Sequence, residues 1–415
     1  MITDNFKNGY SCRLCNSSEL SCVLKLTSTP PANAFVTKEQ LHITQKKYPL
    51  ELFFCEDCNH LQLTEVVDPK ELFENYVYVS GTSKVFVDHF KNYAEDLVER
   101  YKPSKNKYVL DIGSNDGTLL KFFKRMGYSV IGVDPAKKIA SKASEEGINT
   151  INDFFNLQTA KRIEDKYSKA SLITANNVFA HCDDLIGITK AVSNLLCPDG
   201  LFVFEVSYLV DVYQKTFFDT IYHEHLSYHS VTPLIKFFEK NKMTLIDVFK
   251  VNTHGGSIRC VVKNSSNREQ ISNSVRSFIE LEKSLKFHYK DTFINFSQKI
   301  EVRKKELYDF LLKIKSENKT IAGFGAPAKA TTLMYEFGLG DDILDFIVDD
   351  SPFKQGLYSP GLHIPIFSSS CIETFKPDYL LILAWNFSDS IIKNNQKFHE
   401  AGGKFIIPLP NLEVI

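Results

Sequence analysis

The sequence predicts an α/β protein with two Rossmann-like units and a small metal-stapled module ahead of them. Three observations carry this. Tyr108-Val109-Leu110 is a hydrophobic strand signal. It runs into the turn Asp111-Ile112-Gly113-Ser114-Asn115-Asp116-Gly117, a helix-forming stretch over 119–126, and a second strand, Ser129–Val133, closed by Asp134. Strand, glycine turn, helix, strand and acidic end make a nucleotide-binding half-fold. The pattern returns near the C-terminus, where Thr320–Phe324 leads through Gly325 to Lys329, and Phe346-Ile347-Val348 ends in Asp349-Asp350. The third observation is a double cysteine pair, Cys12-x-x-Cys15 and Cys55-x-x-Cys58.

Taken in order, residues 1–70 form the metal module. A two-residue gap lets both thiolates of a pair face one tetrahedral ion, and two such knuckles complete a structural Zn²⁺ site. A redox reading is weaker, because neither pair follows a strand and opens a helix. Four thiolates leave no open coordination position, so this zinc holds structure and does no chemistry. Strands are expected at 50–54 and 60–63. The other five cysteines, Cys22, Cys182, Cys197, Cys260 and Cys371, read as core or near-core thiols.

Residues 71–266 form the middle unit. A tyrosine-bearing linker, Asn75–Ser83, precedes a helix over 84–100. Further strands are expected near 149–153, at 171–175 and from 201, the last after a helix over 183–196 and the turn Pro198-Asp199-Gly200. Residues 244–252 and 257–263 lie too close for a crossover helix, so they should pair antiparallel at the sheet edge. Asp134 suits a ribose, and the small turn residues admit a ligand to the backbone and the helix N-terminus. The turn lacks a full GxGxxG. A negative Asp111 at the strand end favours a cationic ligand edge over a pyrophosphate, which points to S-adenosylmethionine. Residues 267–318 read as one or two long helices. Residues 319–415 form the second Rossmann-like unit, in which Lys329 suits a phosphate.

The 415 residues carry 49 Lys plus Arg against 50 Asp plus Glu. This balance gives no global attraction to nucleic acid or to an anionic membrane. The polar N-terminus and the lack of a spanning apolar run lead us to expect a soluble, cytoplasmic protein.

The motifs continue with Tyr76-Val-Tyr78-Val-Ser80-Gly81, Asn176-Asn177-Val-Phe179-Ala-His181, Tyr222-His223-Glu224-His225, His254-Gly255-Gly256-Ser257-Ile-Arg259, Gly323-Phe-Gly325-Ala-Pro-Ala-Lys329 and Asp350-Ser-Pro-Phe-Lys354-Gln-Gly356. With the cysteine pairs and the Asp111 turn, they resemble the sugar C-methyltransferases, the group containing the mycarose and tetronitrose enzymes, over essentially the whole chain. The resemblance implies a methyltransferase variant of the doubly wound sheet. It also implies S-adenosylmethionine as cofactor in the middle unit, and a nucleotide-linked 4-keto-6-deoxy hexose, usually carried on thymidine diphosphate, between that unit and the C-terminal one. The methyl group would go to C3.

Carbon methylation beside a ketone needs a base for the adjacent proton and donors for the enolate oxygen. Tyr222-His223-Glu224-His225 offers both. On residues alone the choice between His223 and His225 is open, and the resemblance favours His225 as base. Glu224 is expected to orient it or to bind sugar hydroxyls. His181 is expected to face the keto oxygen, while Tyr76 and Tyr222 hydrogen-bond the sugar or shuttle protons. Fold analogy places Gly113 and Asn115 at the methionyl end of the cofactor, Asp134 at its ribose, Asp153 and Phe154 at its adenine, and Asn176 under the methyl group. His254 is expected near the acceptor, with Arg259, Lys329 and Lys354 against a pyrophosphate. Three rival readings are an O- or N-methyltransferase of a related sugar, a zinc-stabilised nucleic-acid-binding protein, and a nicotinamide-dependent dehydrogenase. These motifs fix neither the exact sugar nor the oligomeric state.

Overall fold

The computed structural model describes residues 10–74, 79–82, 84–253, 255–266 and 270–415. Tyr76 and His254 lie outside the described residues. Among those described, no helix is long and apolar enough to cross a membrane.

The N-terminal region builds a four-stranded antiparallel sheet in the order Leu20–Thr29, Tyr48–Cys55, Leu61–Leu63, Ser227–Tyr228. The first strand was not evident from the sequence. Register shifts at Cys22/Leu24 and Leu26/Thr29 interrupt its alternation, and alternation is the signal that identifies a strand. The fourth strand was not foreseen either. It is a two-residue segment following the Tyr222–His225 cluster, so this sheet is completed by residues from the middle of the chain.

The middle unit is a seven-stranded sheet ordered Met243–Val251, Ser257–Asn264, Leu196–Ser207, Ala170–Asn176, Tyr108–Ile112, Ser129–Val133, Thr150–Ile151. All neighbours are parallel except Ser257–Asn264, which runs antiparallel to both of its partners. The strand Leu196–Ser207 starts five residues earlier than the Pro198-Asp199-Gly200 turn suggested, and the register shift between Ala170 and Leu172 absorbs that start. Helix Lys84–Tyr101 buries Phe90, Tyr93, Ala94 and Leu97 against Leu119, Leu120 and Phe123 and against Val109, Leu172, Val203 and Val261 of the sheet. Each of the large apolar side chains among them, such as Phe90 and Leu97, contributes roughly 1.5–3 kcal/mol on burial. The first strand, Tyr108–Ile112, is flanked by the second and fourth in chain order. Its C-terminal end is therefore the topological switch point, where open α/β sheets take ligands.

Helices Asn273–Ser284 and Lys290–Ser316 lead to a six-stranded sheet ordered Ile366–Phe367, Phe346–Val348, Ile321–Phe324, Tyr379–Ile382, Lys404–Ile407, Glu413–Val414. Only the last strand is antiparallel. Helix Ala328–Phe337 follows the first strand and meets the segment before Tyr222, where the Thr332 hydroxyl donates to the Ile221 carbonyl at 2.8 Å.

Candidate active site and metal centre

Both cysteine pairs fold alike because each is followed by an asparagine. Asn16 and Asn59 take left-handed backbone, φ 65 and 67, and their amides donate to Cys12 and Cys55 carbonyls, both at 2.8 Å. Asparagine tolerates that conformation better than most residues. The four sulfurs lie within 4.8 Å of one another, with Cys12–Cys58 and Cys15–Cys55 both at 3.5 Å. Tetrahedral Zn²⁺ with bonds of about 2.3 Å sets sulfurs about 3.8 Å apart. The donor set therefore fits a structural zinc ion.

At the switch point, Gly113 has φ +67, and a β-carbon there would stand 2.4 Å from Val178 Cγ2. Asn115 also has positive φ. The turn is braced from the second strand: Gly113 N donates to the Val133 carbonyl at 2.8 Å, Asn115 N to Asp134 Oδ2 at 2.8 Å, and Ala136 N to Asp134 Oδ1 at 2.9 Å. Burial raises the Asp134 carboxyl above its ordinary value. Asp111 is buried as well and accepts from the Thr174 hydroxyl at 2.6 Å. Burial pushes it up to about 7. Its charge is thus set by burial and by the Thr174 bond, not by side-chain type alone. Asp153 pairs with Arg162 and accepts from Phe154 N, and Phe154 is half-buried. The Ser114 hydroxyl is buried and, among the described residues, has no hydrogen-bond partner, while the Asn176 side chain neighbours the buried Tyr93 hydroxyl. An orphaned hydroxyl beside a glycine turn fits a bound polar ligand.

The histidine cluster lies at the same sheet end. His181 and His225 rings sit 5.1 Å apart between centroids, and Phe73 stacks on His181 at 5.5 Å. His225 Nδ1 donates to the Thr220 carbonyl at 2.8 Å. A carbonyl can only accept, so the proton is on Nδ1 and Nε2 carries the lone pair. The Tyr222 hydroxyl lies 3.0 Å from Nε2 and donates to it. Burial lowers His225 to about 4, against the raising effect of its bond to Thr220, so the ring is neutral at physiological pH. A small cavity joins the two histidines to Asn177, Ser207 and Thr220. Thr220 and Tyr222 orient His225; Glu224 Oε1 accepts instead from Asn33 Nδ2 at 2.6 Å. His223 points away, with Nε2 donating to the Tyr48 and Pro49 carbonyls, which separates it from its neighbour.

The three cations expected at a pyrophosphate are matched internally. Arg259 is buried, bonded to Glu205 at 2.7 Å and to Asp96 at 3.3 Å, and stacked 4.0 Å over Tyr93. Its position on the helix 84–101 face of the sheet corrects the expectation of a free anion contact. Lys354 lies 3.6 Å from Asp349 and donates to the Ala326 carbonyl at 2.9 Å. Lys329 Nζ sits 3.3 Å over Trp385. Burial lowers it to about 7 while Asp219 pulls it back up. Trp385 Nε1 donates to Asp219 at 2.5 Å, so this group joins the C-terminal unit to the segment carrying Thr220. Sequence reading missed Asn33, Phe73, Asp219 and Thr220, which have no local pattern. The sole tryptophan, Trp385, offered a compositional signal that went unused.

Comparison with known proteins gives three family matches along the chain. A family described as "Putative zinc binding domain" matches residues 12–73, "Methyltransferase domain" matches 86–272, and "C-methyltransferase C-terminal domain" matches 252–410. The C-methyltransferase NovU of Streptomyces niveus is 34% identical over 404 residues, 97% of this chain and 96% of its own length. A ubiquinone biosynthesis O-methyltransferase of Azorhizobium caulinodans is 28% identical over 133 residues, 31% of this chain and 50% of its own.

Proposed function

The chain belongs to the S-adenosylmethionine-dependent C-methyltransferase family, and from that premise we propose that it methylates C3 of a nucleotide-linked 4-keto-6-deoxy sugar, carried on thymidine diphosphate. When bound, S-adenosylmethionine supplies the electrophilic methyl group. Gly113 and Asn115 would hold its methionyl end, Asp134 its ribose and Asp153 with Phe154 its adenine. Asn176 would lie under the methyl group.

The observation that carries the acid–base assignment is the chain Tyr222–His225–Thr220. The Thr220 carbonyl fixes the proton on Nδ1 and leaves Nε2 basic. The proton on C3 passes to the Tyr222 oxygen as the phenol's own proton passes to Nε2. The C–H pair moves into the C3–C4 bond, and the negative charge falls on the carbonyl oxygen, which His181 faces. Relay through a phenol avoids a free phenolate, which burial disfavours at Tyr222. Lys329 and Trp385, at the seam with the C-terminal unit, support a sugar nucleotide lying between the two units.

Labelled S-adenosylmethionine incubated with a panel of nucleotide sugars should label only acceptors that carry the ketone. His225→Ala should keep S-adenosylhomocysteine affinity but lose ~10²- to 10⁴-fold in turnover and in exchange of the C3 proton with deuterated solvent. Transfer to an acceptor lacking the ketone would refute the enolate mechanism. Wild-type exchange in His225→Ala, with exchange lost in Tyr76→Phe, would move the base to Tyr76.

A further inference from the structure

The zinc knuckle reaches into the proposed active site through one side chain. Arg13 lies between Cys12 and Cys15, and its side chain is 6% exposed. Its Nη1 donates to the Leu63 carbonyl and, at 3.3 Å, to the Leu226 carbonyl. Its Nε bonds Asp183 Oδ1 at 2.9 Å. Its backbone amide donates at 2.8 Å to Gln62 Oε1. Leu226 is the residue after His225, and Asp183 is two residues after His181. The two histidine segments are also joined directly, Leu226 N donating to the Ala180 carbonyl at 2.9 Å. Strand Leu61–Leu63 pairs with Ser227–Tyr228 immediately beyond.

We infer that Arg13 is a positioning residue: the fork of its guanidinium holds the His225 segment and the His181 segment at fixed separation and refers both to the zinc knuckle. The planar group is what allows this. Its donors diverge at set angles, so one side chain satisfies two carbonyls on one side and a carboxylate on the other. A lysine has the charge but not the fork. Displacement of a catalytic ring by about 1 Å costs ~10²-fold in rate. The zinc would then set the origin of the site without touching the reaction.

The inference rests on His181 and His225 acting together, so its test needs a readout apart from turnover. Arg13→Lys, and Asp183→Asn at the exposed end of the pair, are each compared with wild type for zinc content, S-adenosylhomocysteine affinity, kcat and ring-proton NOEs between His181 and His225 in histidine-labelled protein. We expect one zinc per chain and unchanged cofactor affinity in both variants. The NOE should be lost in Arg13→Lys and weakened in Asp183→Asn. kcat should fall ~10- to 100-fold in the first and ~3- to 10-fold in the second. Adding Arg13→Lys to His225→Ala should cost less than about 2-fold more, since both act on one element. An intact NOE and intact kcat in Arg13→Lys would overturn the inference. So would loss of zinc or cofactor binding along with kcat, which marks a folding role only. If wild type methylates no keto sugar, the proposed function fails, and the NOE comparison still decides the role of Arg13.

Discussion

In the middle unit, Gly113 N donates to the Val133 carbonyl at 2.8 Å, and Asp134 receives the amides of Asn115 and Ala136. In the C-terminal unit, Gly325 N donates to the Val348 carbonyl at 2.7 Å, and Asp349 receives the amides of Ala326 and Ser351. One device has been used twice: an acid at the end of the second strand braces the glycine turn after the first. The units part at the next residue out. Asp349 has Lys354 beside it, whereas among the described residues no lysine or arginine pairs with Asp134. The motif of strand, glycine turn and acid thus specifies a braced turn. Whether the acid also reads a ligand depends on whether the chain supplies its own counter-charge.

The largest effect should separate the two acids. Asp134→Ala is expected to weaken S-adenosylhomocysteine binding by ~100-fold or more, since hydrogen bonds to a charged acceptor are worth roughly 1.5–3 kcal/mol each. Asp349→Ala should leave that affinity within about 2-fold. Calorimetry on both variants, with circular dichroism to confirm folding, decides it. Equal losses would break the comparison.

A smaller effect lies in the closing cation. Lys354→Met leaves Asp349 without its partner and should lower stability by about 1–3 kcal/mol in urea unfolding, less than a fully buried pair would lose. Adding Asp349→Asn removes the unpaired charge but turns an amide donor toward the Ala326 or Ser351 N–H, so it should restore only part of the loss. Unchanged stability together with weakened thymidine diphosphate binding would instead make Lys354 a ligand contact.

The effect most spread out over conditions is a pH slope. The buried Asp111 carboxyl titrates at about 7 in the folded chain, against 3.8 as its ordinary value. An acid raised on folding stabilises the fold when protonated. That contribution is complete below the unfolded value and is lost as pH climbs through about 7. Stability should therefore fall by up to about 1.4 kcal/mol per pH unit across that window. Asp111→Asn should flatten the fall, and identical slopes in both proteins would remove Asp111 as its source.

What could be read from the chain beforehand follows what is local. The knuckles, the Gly113 turn and the antiparallel edge at residues 243–264 depend on neighbours in sequence, and each was legible. His225 and Tyr222 were found as a cluster because they sit three residues apart. The partners of the cluster were not, since Thr220 contributes a backbone carbonyl to His225, which any residue could, and Asn33 reaches Glu224 from a turn far away in the chain. The charge at Arg259 misled for a related reason. A cation in a motif shows its sign, while Glu205, which neutralises it, becomes a neighbour only on folding. The same holds for Asp111, whose charge state is set by burial.

The borrowed fourth strand of the N-terminal sheet has a consequence for how the chain is made. The knuckles can close on zinc once Cys58 has left the ribosome, but Leu61–Leu63 waits for Ser227–Tyr228. At about 5–20 residues per second that interval is roughly ten to thirty seconds. Through it a metallated module carries a bare strand edge, the surface on which neighbouring nascent chains pair wrongly. A fragment cut near residue 70 would keep that edge permanently, so the metal module and the catalytic segment are best treated as one folding unit.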